Sequence, residues 1–146
     1  MKIQIEQIRY ELTWRIRHQV MYPDEPFDMI KLPEDPDGMH FGLYEGEWLT
    51  AVVSLFENGK VFQFRKFATL TAKQGMGYGS ALLEYIIAYC REQGAEKLWC
   101  NARVSAEGFY AKFGFRPVGE VFVQHGLDFV QMELDMRSDA NLNKVD

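Results

Sequence analysis

The stretch Gln74-Gly75-Met76-Gly77-Tyr78-Gly79-Ser80 decides how the rest of the chain is read. An alternating apolar segment precedes it. After it Leu82, Leu83, Ile86, Ile87 and Cys90 fall on one side of a helix, and Gly94 supplies the stop. A strand, a glycine loop and a helix in that order make a place for phosphate. The first amides of a helix have no partner within it and carry the positive end of its dipole. Glycine removes the Cβ that would hold a phosphate off, and Gly77 and Gly79 are expected to take backbone angles closed to branched residues. A pyrophosphate is the natural guest. Other phosphate loops do not match. The dinucleotide fingerprint G-x-G-x-x-G needs glycine where Ser80 stands, and a Walker A loop needs a lysine that follows neither Gly79 nor Ser80. Taken alone, the loop also reads as a connector that binds nothing.

Upstream, Lys2–Gln7 alternates like a first strand, and Ile8, Leu12, Ile16 and Val20 fall four apart, as on the buried stripe of a helix ending before Pro23. Between Tyr22 and Gly38 stand four prolines and the acidic residues Asp24, Glu25, Asp28, Glu34, Asp35 and Asp37. Prolines at that density break both kinds of ladder, so a long surface loop is expected, with one helical turn near Phe27–Ile30. Met39–Tyr44 and Trp48–Phe56 then join across Glu45-Gly46-Glu47, and Lys60–Leu70 follows the hairpin signal Asn58-Gly59. Downstream, Lys97–Asn101 reads as a strand. Ser105 is the expected N-cap of a helix through Lys112, with Gly114 at C′. Val118–Gln124 and Leu127–Leu134 form a last hairpin, and the polar segment 137–146 is an expected frayed tail. The order is β-α-β-β-β-α-β-α-β-β, an α+β arrangement with a central crossover helix.

The 146 residues suit one domain, expected over 1–136, and 47% hydrophobic with 25% charged residues is ordinary for a soluble globular protein. No apolar run approaches a membrane span, and Met1–Glu11 lacks the apolar core of a signal peptide. Cys90 and Cys100 make no disulfide framework, so a reduced, cytoplasmic protein is expected. The net charge of −5 argues against a nucleic-acid partner, which needs a basic face.

Gln74-x-x-Gly77-x-Gly79 resembles the Q/R-x-x-G-x-G/A motif of the GCN5-related N-acetyltransferase (GNAT) superfamily. About thirty residues on, Ser105-Ala106-Glu107-Gly108-Phe109-Tyr110-Ala111-Lys112-Phe113-Gly114-Phe115 resembles its A-x-x-F-Y-x-K-x-G-F segment. The resemblance implies a three-layer α/β/α fold on a mixed, mostly antiparallel sheet. It also implies an enzyme that moves the acetyl group of acetyl-CoA to a primary amine, on a small molecule or peptide, by direct attack in a ternary complex without a metal. By it, the backbone of Phe67, Ala68 and Thr69 pairs with the pantetheine arm. The amides of Gly75, Met76, Gly77, Tyr78, Gly79 and Ser80 meet the pyrophosphate, and Gln74 braces the loop or binds a phosphate oxygen. Lys73 meets the adenosine 3′-phosphate or is a solvated loop lysine.

Tyr110 takes the place of the family's general acid, since a phenol is a reasonable proton donor to a thiolate. Its other reading is a core tyrosine beside Phe109 and Phe113. Two departures stand out. Arg103 occupies a position where the family often has asparagine, although Asn101 is near, and Phe62–Leu70 lacks the glutamate base of some members, so water would relay the proton. His40 and His125 are further base candidates, each alternatively a packing or surface residue. The histidines and cysteines have no metal-ligand spacing.

For the acceptor, the acidic loop would attract a cationic amine, or serves only solubility. Trp14, Trp48 and Phe27 read as core rather than as an acceptor pocket. A homodimer is compatible with this reading. The alternative function is a non-catalytic acyl-CoA binding or sensing module that uses the same loop.

Overall fold

A computed structural model of the chain describes residues 2–137; Met1 and the expected tail from residue 138 onward lie outside the described residues. The elements are β1 (Ile3–Ile8), α1 (Glu11–Met21), β2 (Met39–Glu45), β3 (Trp48–Asn58), β4 (Val61–Thr69), α2 (Tyr78–Glu92), β5 (Lys97–Arg103), α3 (Glu107–Ala111), β6 (Arg116–Gln124) and β7 (Leu127–Asp135). Their order is the expected one. The strands run β1-β2-β3-β4-β5-β7-β6 in a seven-stranded sheet. The pairs β1–β2, β2–β3, β5–β7 and β6–β7 are antiparallel, and β4 with β5 is parallel over Val61–Gln63 and Lys97–Trp99. Parallel neighbours need a crossover, which α2 supplies. The chain divides into two compact units, Met1–Phe56 with Phe64–Ile86, and Glu57–Gln63 with Ile87–Asp146.

In the first unit Ile16, Val52 and Ala68 form a buried cluster, against which Ile8, Val20, Met21, Leu49 and Leu70 pack. The stripe of α1 differs from the expected one. Ile8 closes β1, Leu12 is exposed, and the buried face is Thr13, Ile16 and Arg17. A cation enters that face because its partners are built in. The Arg17 guanidinium donates to Asp35 Oδ2 at 2.8 Å, Asp35 Oδ1 at 2.9 Å, the Ile30 carbonyl at 3.0 Å and Ser54 Oγ at 2.7 Å. The Leu32 amide and Trp14 Nε1 also donate to Asp35, at 3.0 and 3.1 Å. The proline-rich segment is therefore not a surface loop throughout: the turn Phe27–Ile30 forms as expected, but Ile30 and Asp35 are buried.

His40 joins the same network, with Nε2 2.9 Å from the Asp35 carbonyl and Nδ1 2.7 Å from Ser54 Oγ. A carbonyl only accepts, so Nε2 carries the proton. Ser54 Oγ accepts from Arg17, and with the ring neutral its hydroxyl donates to Nδ1. Burial, the main cause, pushes the His40 pKa below 6.5. Burial pushes the Asp35 carboxyl up, but the hydrogen bonds from Arg17, Leu32 and Trp14 outweigh it and hold it below 3.8. Both groups bind protons more readily when unfolded. The His40 contribution is complete above pH 6.5 and is lost as pH falls through the lower folded value; that of Asp35 follows at still lower pH. Tm is thus expected to be level above pH 6.5 and to fall on acidification below it. A Tm that stays level down to about pH 5 would contradict the neutral, buried histidine.

In the second unit Leu98, Cys100, Ala102, Val130, Met132 and Leu134 are buried on β5 and β7. Burial pushes the thiols of Cys90 and Cys100 up to about 12, so neither is a ready nucleophile. The expected helix from Ser105 is shorter: a 3₁₀ turn, Val104–Ala106, precedes α3, whose N-cap is Ala106, and no side chain caps it. Ser105 belongs to that turn. Gly114, at φ +97°, stands at C′ as expected: its amide donates to the Ala111 carbonyl at 3.0 Å and the Phe115 amide to the Tyr110 carbonyl at 3.3 Å, the pair of bonds that closes such a helix end. His125 and Gly126 both have positive φ, 54° and 73°, as a two-residue hairpin turn requires. His125 thus has a turn role. Among the described residues no helix is long and apolar enough to cross a membrane.

Candidate active site

The glycine loop opens after β4 with a 3₁₀ turn at Thr71–Lys73. Gly75 and Gly77 have φ of +80° and +83°, in the left-handed region that glycine enters freely. The Gly77 carbonyl accepts from the Ala81 amide at 3.0 Å, which makes Gly77 the N-cap of α2. Glycine has no side chain with which to cap its own helix. The amides of Gly75 through Ser80 have no backbone acceptor among the described residues, and residues 75–77 are exposed. These amides are a run of donors at the start of a helix. Gly79 departs from expectation, since it lies in the first turn of α2 with Tyr78 and Ser80 and takes no unusual angle.

Gln74 braces the loop, the first of its two expected roles, by donating Nε2 to the Thr69 carbonyl at 3.1 Å. Along β4, Ala68 is buried, while Phe67 is half-buried and edge-on to Phe64 at a centroid distance of 6.0 Å. Lys66, immediately before them, has φ +56°, a costly angle for a long side chain. Its ammonium lies 5.1 Å from the centroid of Tyr22, and burial lowers its pKa. No local pattern in the sequence marks it.

Glu45 is the residue that sequence reasoning missed here. Read as part of a turn, it is the last residue of β2 and is buried. Lys73 Nζ lies 2.8 Å from Glu45 Oε1, and the Tyr78 hydroxyl donates to Glu45 Oε2. Lys73 is therefore an ion-pair partner rather than a solvated lysine. The hydrogen bonds from Lys73 and Tyr78 hold the Glu45 carboxyl below its usual range, and Glu45 in turn raises the Tyr78 phenol. The Tyr78 side chain is thus engaged by Glu45.

A cavity of about 700 Å³ adjoins these groups, lined among others by Arg15, Glu45, Trp48, Thr50, Leu70 and Lys73. Trp48 and Phe27 are not core residues: they are 77% and 44% exposed. Trp48 begins β3 at the hairpin tip, beyond the reach of the core. Trp14 is half-buried, with the Lys31 ammonium 4.6 Å from its ring centroid. The acidic loop is partly neutralised, since Asp28 pairs with Lys31, Glu34 with Arg65 and Asp35 with Arg17. His40, with both ring nitrogens bonded inside the fold, is a packing residue.

Tyr110 belongs to the second unit and is 9% exposed. Its ring is edge-on to Phe109 at 5.2 Å and to Phe115 at 5.8 Å; Phe113 packs on Phe109, not on Tyr110. Burial, and to a lesser degree Cys100, raise its pKa above 10.0, so the phenol stays protonated at neutral pH. Asn101 and Arg103 are exposed on β5. No group of three or more His, Cys, Asp or Glu able to hold a metal occurs among the described residues.

Residues 6–136 match the family model of the acetyltransferase (GNAT) domain, and the chain belongs to that family of N-acetyltransferases. It is 29% identical over 129 residues to YitI of Bacillus subtilis (strain 168), an uncharacterised N-acetyltransferase, covering 82% of this chain and 87% of YitI. Its fold is similar to that of a Lactobacillus plantarum protein assigned as an N-acetyltransferase, with a TM-score of 0.84 at 19% identity over 93% of this chain and 99% of that one. It is also similar to a Bacillus subtilis acetyltransferase in complex with CoA, with a TM-score of 0.71 at 18% identity over 92% and 99%.

Proposed function

We propose that the chain, as one catalytic domain, binds acetyl-CoA by its glycine loop and transfers the acetyl group to a primary amine of a small molecule or peptide. The observation that carries this is the start of α2: a glycine N-cap at φ +83° and a run of amides without backbone acceptors. Such a cradle fits a pyrophosphate. With the pyrophosphate there, the pantetheine arm runs back along Thr69, Ala68 and Phe67. The neutral amine attacks the thioester carbonyl. The C–N bond forms, the C–S bond breaks, and the departing sulfur takes its proton from Tyr110 while water carries off the proton of the amine. The paired carboxylates of the proline-rich segment weaken the case for a polycationic acceptor, so the acceptor is proposed only as a primary amine.

The test is thiol release from acetyl-CoA with a panel of primary amines, comprising amino acids, diamines, aminoglycosides and short peptides. Release that depends on one class of amine supports the reading. Saturable binding of acetyl-CoA without release from any amine would instead support a non-catalytic acyl-CoA binding module.

A further inference from the structure

Residues 74–77 are exposed, and a Cβ at Gly75 or Gly77 would meet no atom within 4 Å. Packing does not hold this part of the chain, and its glycines have the most conformational freedom to lose. What holds it is a strap. Lys73, before the loop, takes one oxygen of Glu45, and Tyr78, after it, takes the other. The carboxylate itself is anchored: Glu45 stands opposite Ile3 on β1 and Trp48 on β3, and the next amide, Gly46, donates to the Lys2 carbonyl at 3.1 Å. One buried acid thereby ties both ends of the loop, beside the brace that Gln74 makes to the Thr69 carbonyl.

We propose that Glu45 is a positioning residue that, through Lys73 and Tyr78, presets the loop amides for the pyrophosphate of acetyl-CoA. The proposal rests on the placing of acetyl-CoA at that loop. Both partners are donors, so only a carboxylate serves them at once, and its charge offsets that of Lys73. Without the strap the loop samples shapes that do not bind, and apparent affinity falls by the fraction of time spent in them. Lys73 then acts through Glu45 and does not touch the adenosine 3′-phosphate.

Acetyl-CoA and its 3′-dephospho form are titrated into wild type, Lys73→Met, Lys73→Arg, Tyr78→Phe, Glu45→Gln and the Lys73→Met/Tyr78→Phe double variant. Acceptor KM and Tm are measured on the same preparations. Lys73→Met, Tyr78→Phe and Glu45→Gln are each expected to raise Kd about ten-fold, the worth of one charge-assisted hydrogen bond. The factor should be the same for both ligands, acceptor KM should stay put, and Lys73→Arg should restore wild-type affinity. The double variant should weaken binding by less than the product of the singles, because both arms act through one carboxylate. Unchanged Kd in these variants, or a lowered Tm with unchanged Kd, overturns the proposal. So does an effect of Lys73→Met confined to the ligand that carries the 3′-phosphate. If wild type itself fails to bind acetyl-CoA, it is the placing of the cofactor that falls, and the strap with it.

Discussion

Tyr110→Phe is expected to lower the turnover number by about 10²–10⁴, the range for loss of a general acid. The ring sits edge-on to both Phe109 and Phe115, so phenylalanine keeps the packing and removes only the hydroxyl. The hydroxyl is protonated at neutral pH, as the proposed acid must be, although burial raises its pKa and so makes it a weaker donor. The loss is confined to the transition state, and acetyl-CoA affinity should therefore change little. If Tyr110 is a core residue alone, the variant loses about 1 kcal/mol of stability and keeps its turnover. Turnover and Tm on one preparation decide the matter, provided chemistry limits the rate. Wild-type turnover would remove Tyr110 from the mechanism and leave the fold untouched.

Arg17→Met carries the largest expected cost in stability, about 3–5 kcal/mol, because it leaves the Asp35 carboxylate buried without its cation. Asp35 is 1% exposed and takes both terminal nitrogens of Arg17. Ser54 loses a donor in the same stroke, and the Ile30 carbonyl loses another. Against a total stability of about 5–15 kcal/mol for a domain, such a change brings the protein near its unfolding threshold. Denaturant unfolding of wild type and variant reads it directly. A cost below about 1 kcal/mol, the level of an exposed pair, would mean that the ion pair is not the keystone of the first unit.

The features legible in the sequence are those that announce themselves locally. Asn58-Gly59 marks a hairpin because only certain residues take its turn angles, and Gly59 has φ +64°. The glycine loop is legible because a strand, glycines and an amphipathic helix follow one another within a short span. The strap and the Arg17 network are a different matter. Arg17 meets Asp35 18 residues on, and Glu45 meets Lys73 and Tyr78 at separations of 28 and 33. A charged residue inside an apolar-looking helix reads as solvent-facing until its distant partner is known. Ser105 failed for the opposite reason: its local signal for a helix cap was real, but a 3₁₀ turn takes up the chain before α3 begins. Hydrophobicity alone puts Trp48 in the core, whereas its place at a hairpin tip decides its exposure.

On the proposed reading, the cradle at the start of α2 holds acetyl-CoA. Titration calorimetry of acetyl-CoA into wild type and Gly77→Val tests it most directly. Valine at φ +83° is strained whatever room surrounds it, and the carbonyl and amides there must shift. Wild type is expected to bind saturably, and Gly77→Val to bind at least about ten-fold more weakly while Tm without ligand falls by only a few degrees. Equal affinity in the two proteins, or no binding by wild type, would contradict the account.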